Sequence, residues 1–333
     1  MAEPRFLVVR LGSLGDIVHT FPAVAALRES FPNAEIVWLT HPRWSELVSR
    51  SGLASGVFPV DVRKWSSARD IILRVRKSNW TAAIDYQGLW KSALLPFLGG
   101  VSRRIGFSRE TIRESGVPIL YSERVKSGAL HIAEQNGDLT RRAGAARSVA
   151  PFALRVWPEE ARLVLAEMSA QGLKEYIVLS PGGGWRSKCW PAERFGELCE
   201  KIFRKMRLRC VINFGPGEED LAATVRAASG DAAPVLYSGA LGPLMALLKN
   251  AKCIVAGDTG PLHLAVALKT PAVAIFGPTD PARNGPYPAG DIVLRATNDP
   301  ANHKRGTATD PSLLKISVEQ VFEALRRRMG EVV

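Results

Sequence analysis

The chain has 333 residues, more than a single hydrophobic core of ordinary size serves, so two domains are expected. Apolar residues make up 46% and charged residues 23%, which excludes disordered and fibrous classes. The net charge is +12 and the excess is mostly early, with 21 Lys and Arg against 13 Asp and Glu in residues 1–150 and 23 against 19 in the rest. Such a bias suits nucleic acid, an anionic membrane surface or a phosphorylated substrate and does not by itself choose among them.

The chain opens on a strand-like run, and Arg10 interrupts the apolar core that a signal peptide needs, so a cytoplasmic location is expected. No run of about 18 apolar residues occurs, which argues against an ordinary spanning helix and leaves surface attachment to a bilayer open. Strand-type runs are predicted at Arg5–Leu11, Glu35–Leu39 and Ala82–Tyr86, then at Tyr176–Ser180, Arg209–Phe214, Cys253–Ala256 and Val273–Phe276. Helix-length segments separate them, so the class is α/β, with parallel sheets covered on both faces. A Pro- and Arg-containing stretch, Pro151–Pro158, separates the two groups. The domains are therefore drawn as 1–160 and 161–315, followed by 316–333, in which Ser317–Arg328 reads as a helix. That helix carries Val318, Val321, Phe322 and Leu325 on one face and is expected to pack back across the domains. Cys189, Cys199, Cys210 and Cys253 form no C-x-x-C pair and no zinc-like spacing, so they read as free, buried thiols.

Three segments at strand ends could carry chemistry. Arg10 to Thr20 follows the first strand with Gly12 and Gly15 in G-x-x-G spacing, which is neither a dinucleotide fingerprint nor a Walker loop. There Asp16 either stands at the mouth of a cleft or caps the following helix. Ser180 to Pro191 holds three consecutive glycines with Arg186 and Lys188, a pattern that suits a diphosphate and that also occurs in solvated loops. Ala256 to Ala265 ends a strand in Asp258, Thr259 and Gly260, with Pro261 placed to open a helix and His263 one turn in; helix capping is the plain alternative for Asp258 and Thr259. Gly215 to Glu219 could set a carboxylate on a ribose or be a solvated turn, and Gly277 to Asp280 reads equally as closing the same cleft and as an ordinary turn.

Taken together these segments resemble the lipopolysaccharide heptosyltransferases, the ADP-heptose glycosyltransferases of family 9. The resemblance rests on G-x-x-G-D-x-x-H-T at Gly12 to Thr20, K-x-W-P at Lys188 to Pro191, D-T-G-x-x-H at Asp258 to His263 and G-P-T-D at Gly277 to Asp280. Arg63-Lys64-Trp65 and the run Asp85 to Ala93 look most like the type I branch. The resemblance implies a GT-B arrangement of two facing Rossmann-like domains, the first binding a Kdo-lipid A acceptor at the inner membrane surface and the second binding ADP-heptose.

It further implies inverting transfer of heptose to the Kdo inner core, with Asp16 as general base. Lys188, Asp258, Thr259, Gly260, His263 and Ser13 would line the donor, and Glu218 would meet its ribose, with Glu219 as the competing candidate. Arg63, Lys64, Gln87, Lys91, Arg103 and Arg104 are expected on the acceptor. No D-x-D pair is present, so no metal and no cofactor are expected, and cations with backbone donors would meet the charge of the leaving group. A sibling transferase with another core acceptor or another nucleotide sugar is the alternative. Nucleic acid is not expected as a partner, because no aromatic platform or recognition motif accompanies the positive charge.

Overall fold

The computed structural model describes residues 3–297, 306 and 308–330, and the chain divides into two compact units, Met1–Arg155 and Val156–Val333. The first unit holds β1 (Arg5–Val9), β2 (Glu35–Thr40), β3 (Gly56–Pro59), β4 (Ala82–Asp85), β5 (Arg104–Phe107) and β6 (Glu123–Val125), arranged β3-β2-β1-β4-β5-β6 with every pairing parallel. The central strands are continuous apolar runs because both faces are covered. Leu7 and Val9 of β1, with Val37, Leu39 and Ala83 beside them, pack on Ile71, Val75 and Leu95 of helices Trp65–Arg76 and Trp90–Leu98. Alternate residues point the other way, where Phe6 meets Phe31 at 5.1 Å and Trp38 meets Phe21 of helix Phe21–Ser30 at 5.6 Å between ring centroids.

The second unit repeats this plan with β7 (Tyr176–Ser180), β8 (Arg209–Asn213), β9 (Val235–Tyr237), β10 (Cys253–Gly257), β11 (Ala272–Phe276) and β12 (Ile292–Arg295) in the order β12-β11-β10-β7-β8-β9, again all parallel. Read from β9, its strands follow the same order as the first sheet, the doubly wound Rossmann order. In each sheet the winding reverses between two central strands, β1 and β4 in one and β7 and β10 in the other. Ile177, Leu179, Ile212, Val255 and Ile275 face helices Ala192–Met206 and Val318–Arg328. The last helix starts at a capping box, in which Gln320 Oε1 accepts from the Ser317 N–H at 2.8 Å and Ser317 Oγ accepts from the Gln320 N–H at 3.2 Å. It docks on helix Ala192–Met206 and on β10, β11 and β12 through Val321, Phe322 and Leu325.

All seven runs read from sequence are strands, shifted by at most two residues at an end. The other five, β3, β5, β6, β9 and β12, have three or four residues each and lie toward the sheet margins. Their backbone is recruited by a neighbour's open edge rather than by their own pattern, which Gly56, Arg104, Glu123 and Arg124 dilute.

Gly106 in β5 lies flat against the Tyr121 ring, and a Cβ there would fall 2.3 Å from ring carbons. The Tyr121 hydroxyl donates to Asp85 Oδ2 at 2.7 Å, so the ring cannot swing aside without breaking a buried bond. Overpacking of this kind costs about 1–3 kcal/mol. Gly106→Ala should therefore lower Tm by roughly 2–12 °C. Gly128→Ala, where no atom lies within 4 Å of the new Cβ, should leave it unchanged; equal melting of the two variants in scanning calorimetry would refute the packing argument.

Candidate functional site

Side chains at the carboxyl end of a parallel sheet escape burial, and the loops beside the strand-order reversal diverge to leave a crevice. In the first unit the loop after β1 carries Arg10, which is 6% exposed. Its Nη2 lies 2.6 Å from Asp16 Oδ1, and its Nη1 donates to the Tyr86 carbonyl just past β4. Asp16 Oδ2 accepts from the Ser13 N–H at 2.9 Å and from the Ser13 hydroxyl at 3.0 Å, while 43% of the Asp16 side chain stays exposed. Asp16 thus caps the turn Leu14–Val18 and also faces solvent. Desolvation raises its pKa, but Arg10 and the two Ser13 donors outweigh that and hold the carboxyl below its ordinary value. The product is an oriented carboxylate, ionised at neutral pH.

Gln87 and Asp85 fix the neighbouring loop. Gln87 Oε1 accepts from the Leu11 N–H at 2.7 Å, tying the loop after β1 to the loop after β4. Asp85, 1% exposed, accepts from the Gln87 and Gly88 N–H groups, from the Ser92 hydroxyl and from Tyr121. Burial raises its pKa above the ordinary carboxylate range despite those four donors.

The expected acceptor cations divide into two sets. Arg63 and Lys64 follow β3, and Lys91 follows β4 in the first turn of helix Trp90–Leu98, so all three lie toward the carboxyl edge with Gln87. Lys64 and Lys91 are exposed, and Arg63 pairs with Asp61, Nε to Oδ1, at 3.1 Å. That hydrogen bond from Arg63 pulls the Asp61 carboxyl down to about 2. Arg103 and Arg104 stand apart from these three. They stand where β5 begins, at the amino edge, one strand length or roughly 15 Å from the others. Arg103 is held by Glu123 at 2.7 Å and by the Arg142 carbonyl at 2.8 Å, and Arg104 by the carbonyls of Val101, Ser102 and Leu120. Their guanidinium groups clamp the chain and do not join the cluster.

The second unit shows the same construction. Lys188, in the turn Arg186–Lys188 after the Gly-rich loop that leaves β7, pairs with Asp258 just past β10, and its Nζ lies 4.2 Å from the Trp185 ring centroid. Asp258 Oδ1 lies 3.2 Å from His263 Nε2. Burial alone raises the Asp258 pKa, but the bond to His263 and the Lys188 charge bring it well below the ordinary value. Thr259 precedes helix Gly260–Ala267, whose first N–H groups have no partner within the helix, and its buried Oγ1 has no hydrogen-bond partner among the described residues. The same is true of Thr279 Oγ1, 1% exposed, past β11. Glu218 accepts from the Gly215 N–H at 2.8 Å and lies under the Gly-rich loop, where a Cβ on Gly182 would come within 2.2 Å of its carboxylate. Glu219 is exposed at the start of the next helix, so Glu218 is the acid turned toward the loop.

Lys188, Glu218, Asp258, Thr259, Gly260 and His263 are therefore gathered at one sheet end, with cation, N–H and hydroxyl donors suited to an anion. Ser13 belongs to the first unit, with its hydroxyl engaged by Asp16. Sequence reasoning missed Arg10 as part of the site. A charged residue closing a buried strand just ahead of a Gly-containing loop was the available signal. Sequence reasoning left Gly277 to Asp280, with Thr279, even between closing the cleft and an ordinary turn. The four cysteines are free and buried. Among the described residues no group of three or more His, Cys, Asp or Glu is placed to hold a metal ion.

Asp258 gives a test of this electrostatics. A carboxyl whose folded pKa lies below its ordinary value contributes stability that is present above that ordinary value and lost as pH falls through and below it. In Asp258→Asn the fall in Tm between pH 5 and pH 3 should be shallower than in the parent chain. Parallel Tm profiles for the two proteins would show that Asp258 is not held ionised by Lys188 and His263.

The model of glycosyltransferase family 9 (heptosyltransferase) matches residues 69–312. Lipopolysaccharide heptosyltransferase 1 of Pseudomonas aeruginosa is 29% identical over 305 residues, covering 87% of this chain and 83% of that protein. Among solved structures, a family 9 glycosyltransferase from Veillonella parvula superposes with a TM-score of 0.86 at 21% identity, over 100% of this chain and 99% of that one. An Escherichia coli heptosyltransferase solved with ADP-2-deoxy-2-fluoro heptose superposes with a TM-score of 0.77 at 24% identity, over 97% and 99%. These likenesses give the fold as GT-B, and among the described residues no helix is long and apolar enough to cross a membrane. The family model spans well over half of the chain, and the chain belongs to glycosyltransferase family 9, the heptosyltransferases.

Proposed function

We propose that the protein transfers heptose from ADP-heptose to a Kdo residue of the lipopolysaccharide inner core, with inversion, as a type I heptosyltransferase working at the inner membrane surface. The observation that carries this reading is Asp16, a half-exposed carboxylate held ionised by the buried Arg10 at the carboxyl edge of the first sheet. The acceptor hydroxyl gives its proton to Asp16 as its oxygen bonds to the anomeric carbon. The bond from that carbon to the ADP oxygen breaks, and the electron pair stays on the β-phosphate. A carboxylate of low pKa is a weak base, yet the hydroxyl becomes acidic only as its new bond forms, so Asp16 is required late in the step.

On the donor, Lys188 with the N–H groups of the Gly-rich loop and of Gly260 would meet the diphosphate, with Thr259 and His263 beside the sugar and Glu218 at the ribose. Lys188 and these donors do the work that a divalent ion does in other transferases, so no cofactor is needed. Asp258 holds Lys188 and His263 in place. Gln87, Lys91, Lys64 and Arg63 would receive the anionic acceptor.

Incubation with ADP-heptose and Kdo-bearing lipid A should add one heptose mass to the acceptor; transfer only to an already heptosylated core, or only from another nucleotide sugar, would move the chain to a sibling activity. Asp16→Asn keeps the size and the capping oxygen and removes the base. Its kcat should fall by about 10²- to 10⁴-fold with ADP affinity little changed; near-parental kcat at saturating acceptor would reduce Asp16 to a cap.

Lys188→Ala should weaken ADP binding by about 1.5–3 kcal/mol, roughly 10- to 150-fold, the usual worth of a charge-assisted bond. Titration calorimetry giving parental affinity would exclude Lys188 from the diphosphate.

A further inference from the structure

Helix Trp90–Leu98 buries one side, through Ser92, Ala93, Leu95 and Pro96. The opposite side should be polar in a helix that only covers a sheet. It is apolar instead: Trp90, Phe97 and Leu98 fall at i, i+7 and i+8 and are 42%, 43% and 39% exposed, while Leu94 between them packs against Ala93, Val117, Leu120 and Tyr121. Ile119, 71% exposed in the adjoining turn Val117–Leu120, extends the stripe. Arg104 joins the two segments, its guanidinium 5.3 Å from the Phe97 ring centroid and its Nε 2.7 Å from the Leu120 carbonyl.

Exposed cations frame the stripe. Arg76 Nη2 donates to the Leu98 carbonyl at 2.7 Å, and Arg124 Nε to the Pro118 carbonyl at 2.9 Å. A guanidinium has five N–H donors, so each keeps others for a second partner. Lys91 stands beside Trp90, and Glu114, which accepts from the Trp90 N–H at 2.7 Å, is the acid at that end. An aromatic at the rim, aliphatic side chains along the middle and guanidinium groups at the border match the interface of an anionic bilayer, where apolar groups enter the acyl boundary and cations meet phosphates.

We propose that the stripe Trp90–Phe97–Leu98–Ile119, framed by Arg76 and Arg124, is the surface by which the protein docks on an anionic lipid bilayer. The inference rests on the proposed function in that a lipid-borne acceptor gives the docking its purpose. The stripe runs from Trp90, beside Lys91 at the carboxyl edge of the first sheet, to Phe97, Leu98 and Ile119 near Arg104 at its amino edge, so its Trp90 end is the one that adjoins the expected acceptor residues.

The test is flotation of the full chain with vesicles of phosphatidylglycerol and phosphatidylcholine, and with phosphatidylcholine alone, comparing the parent with the triple variant Phe97→Ser, Leu98→Ser, Ile119→Ser. The parent should float with the anionic vesicles at least tenfold more than with neutral ones, and the variant should lose at least tenfold of that partition. Ile119→Glu, a single change at a well-exposed position, should lose partition in the same direction and guards against misfolding of the triple variant. Turnover on a deacylated, water-soluble acceptor should be unchanged in both variants. Equal flotation of parent and variants, no preference for anionic vesicles, or a parent dimer that the variants split without loss of flotation would each overturn the proposal. Intact flotation with no transfer to any Kdo acceptor would leave this surface standing and defeat the functional reading instead.

Discussion

A parallel sheet covered by helices on both faces leaves its side chains no outlet except at the strand ends, and this constraint decides where the protein can do chemistry. Both units use the same strand order, so both have their reversal between two central strands, where successive loops turn to opposite faces. In each unit a polar contact ties together the two loops that flank the reversal. In the first it runs from Arg10 to the Tyr86 carbonyl and from the Leu11 N–H to Gln87; in the second it is the ion pair of Lys188 with Asp258. The two loops at each reversal are thus fixed to one another by residues at the strand ends.

The two pairs differ in which partner is inside. Arg10 is 6% exposed and Asp16 much more so, hence the anion is presented while its counterion is withheld from solvent. At the second crevice both Lys188 and Asp258 are nearly buried, with side chains 11% and 7% exposed. An anion reaching Lys188 must share it with Asp258, and His263 keeps that carboxylate satisfied when it does. For the transfer proposed above, an asymmetry of this sort suits a base that must be ready before substrate arrives and a cation whose full charge is called on only as a leaving group departs.

The sheet skeleton was legible because buried parallel strands are nearly continuous apolar runs, such as Phe6 to Val9 and Ile177 to Leu179. The marginal strands were not, since β6 and β9 have three residues each and gain their conformation from a neighbour. Residues that follow a strand within a few positions, Asp16 and Asp258 among them, could be placed at the carboxyl edge from sequence, because the end of an apolar run marks that edge. Arg10 could not, because a guanidinium in a buried run has no meaning until its partners are known, and those are contributed by Asp16 six residues on and by Tyr86 from another strand. Thr279 stayed open between two readings for the converse reason: its sequence context fits a turn as well as a loop closing a cleft, and only burial without a partner among the described residues sets it apart.

Net charge proved the least faithful guide, for a reason rooted in arginine chemistry. A planar group with five donors closes loop ends well, and much of the early positive excess serves that purpose. Arg28 donates to the carbonyls of Pro32, Ala34 and Leu53 and to the Ser55 hydroxyl, and Arg104 gathers three further carbonyls. Such residues count fully toward +12 while offering little to a ligand. Position relative to the strand separates the two kinds: a cation just before a strand stands at the amino edge with carbonyls to bind, and one just after it stands at the carboxyl edge with a crevice to face. Arg103 and Arg104 fall on the first side of that division and Arg63, Lys64 and Lys91 on the second, although all five belong to one basic stretch of sequence.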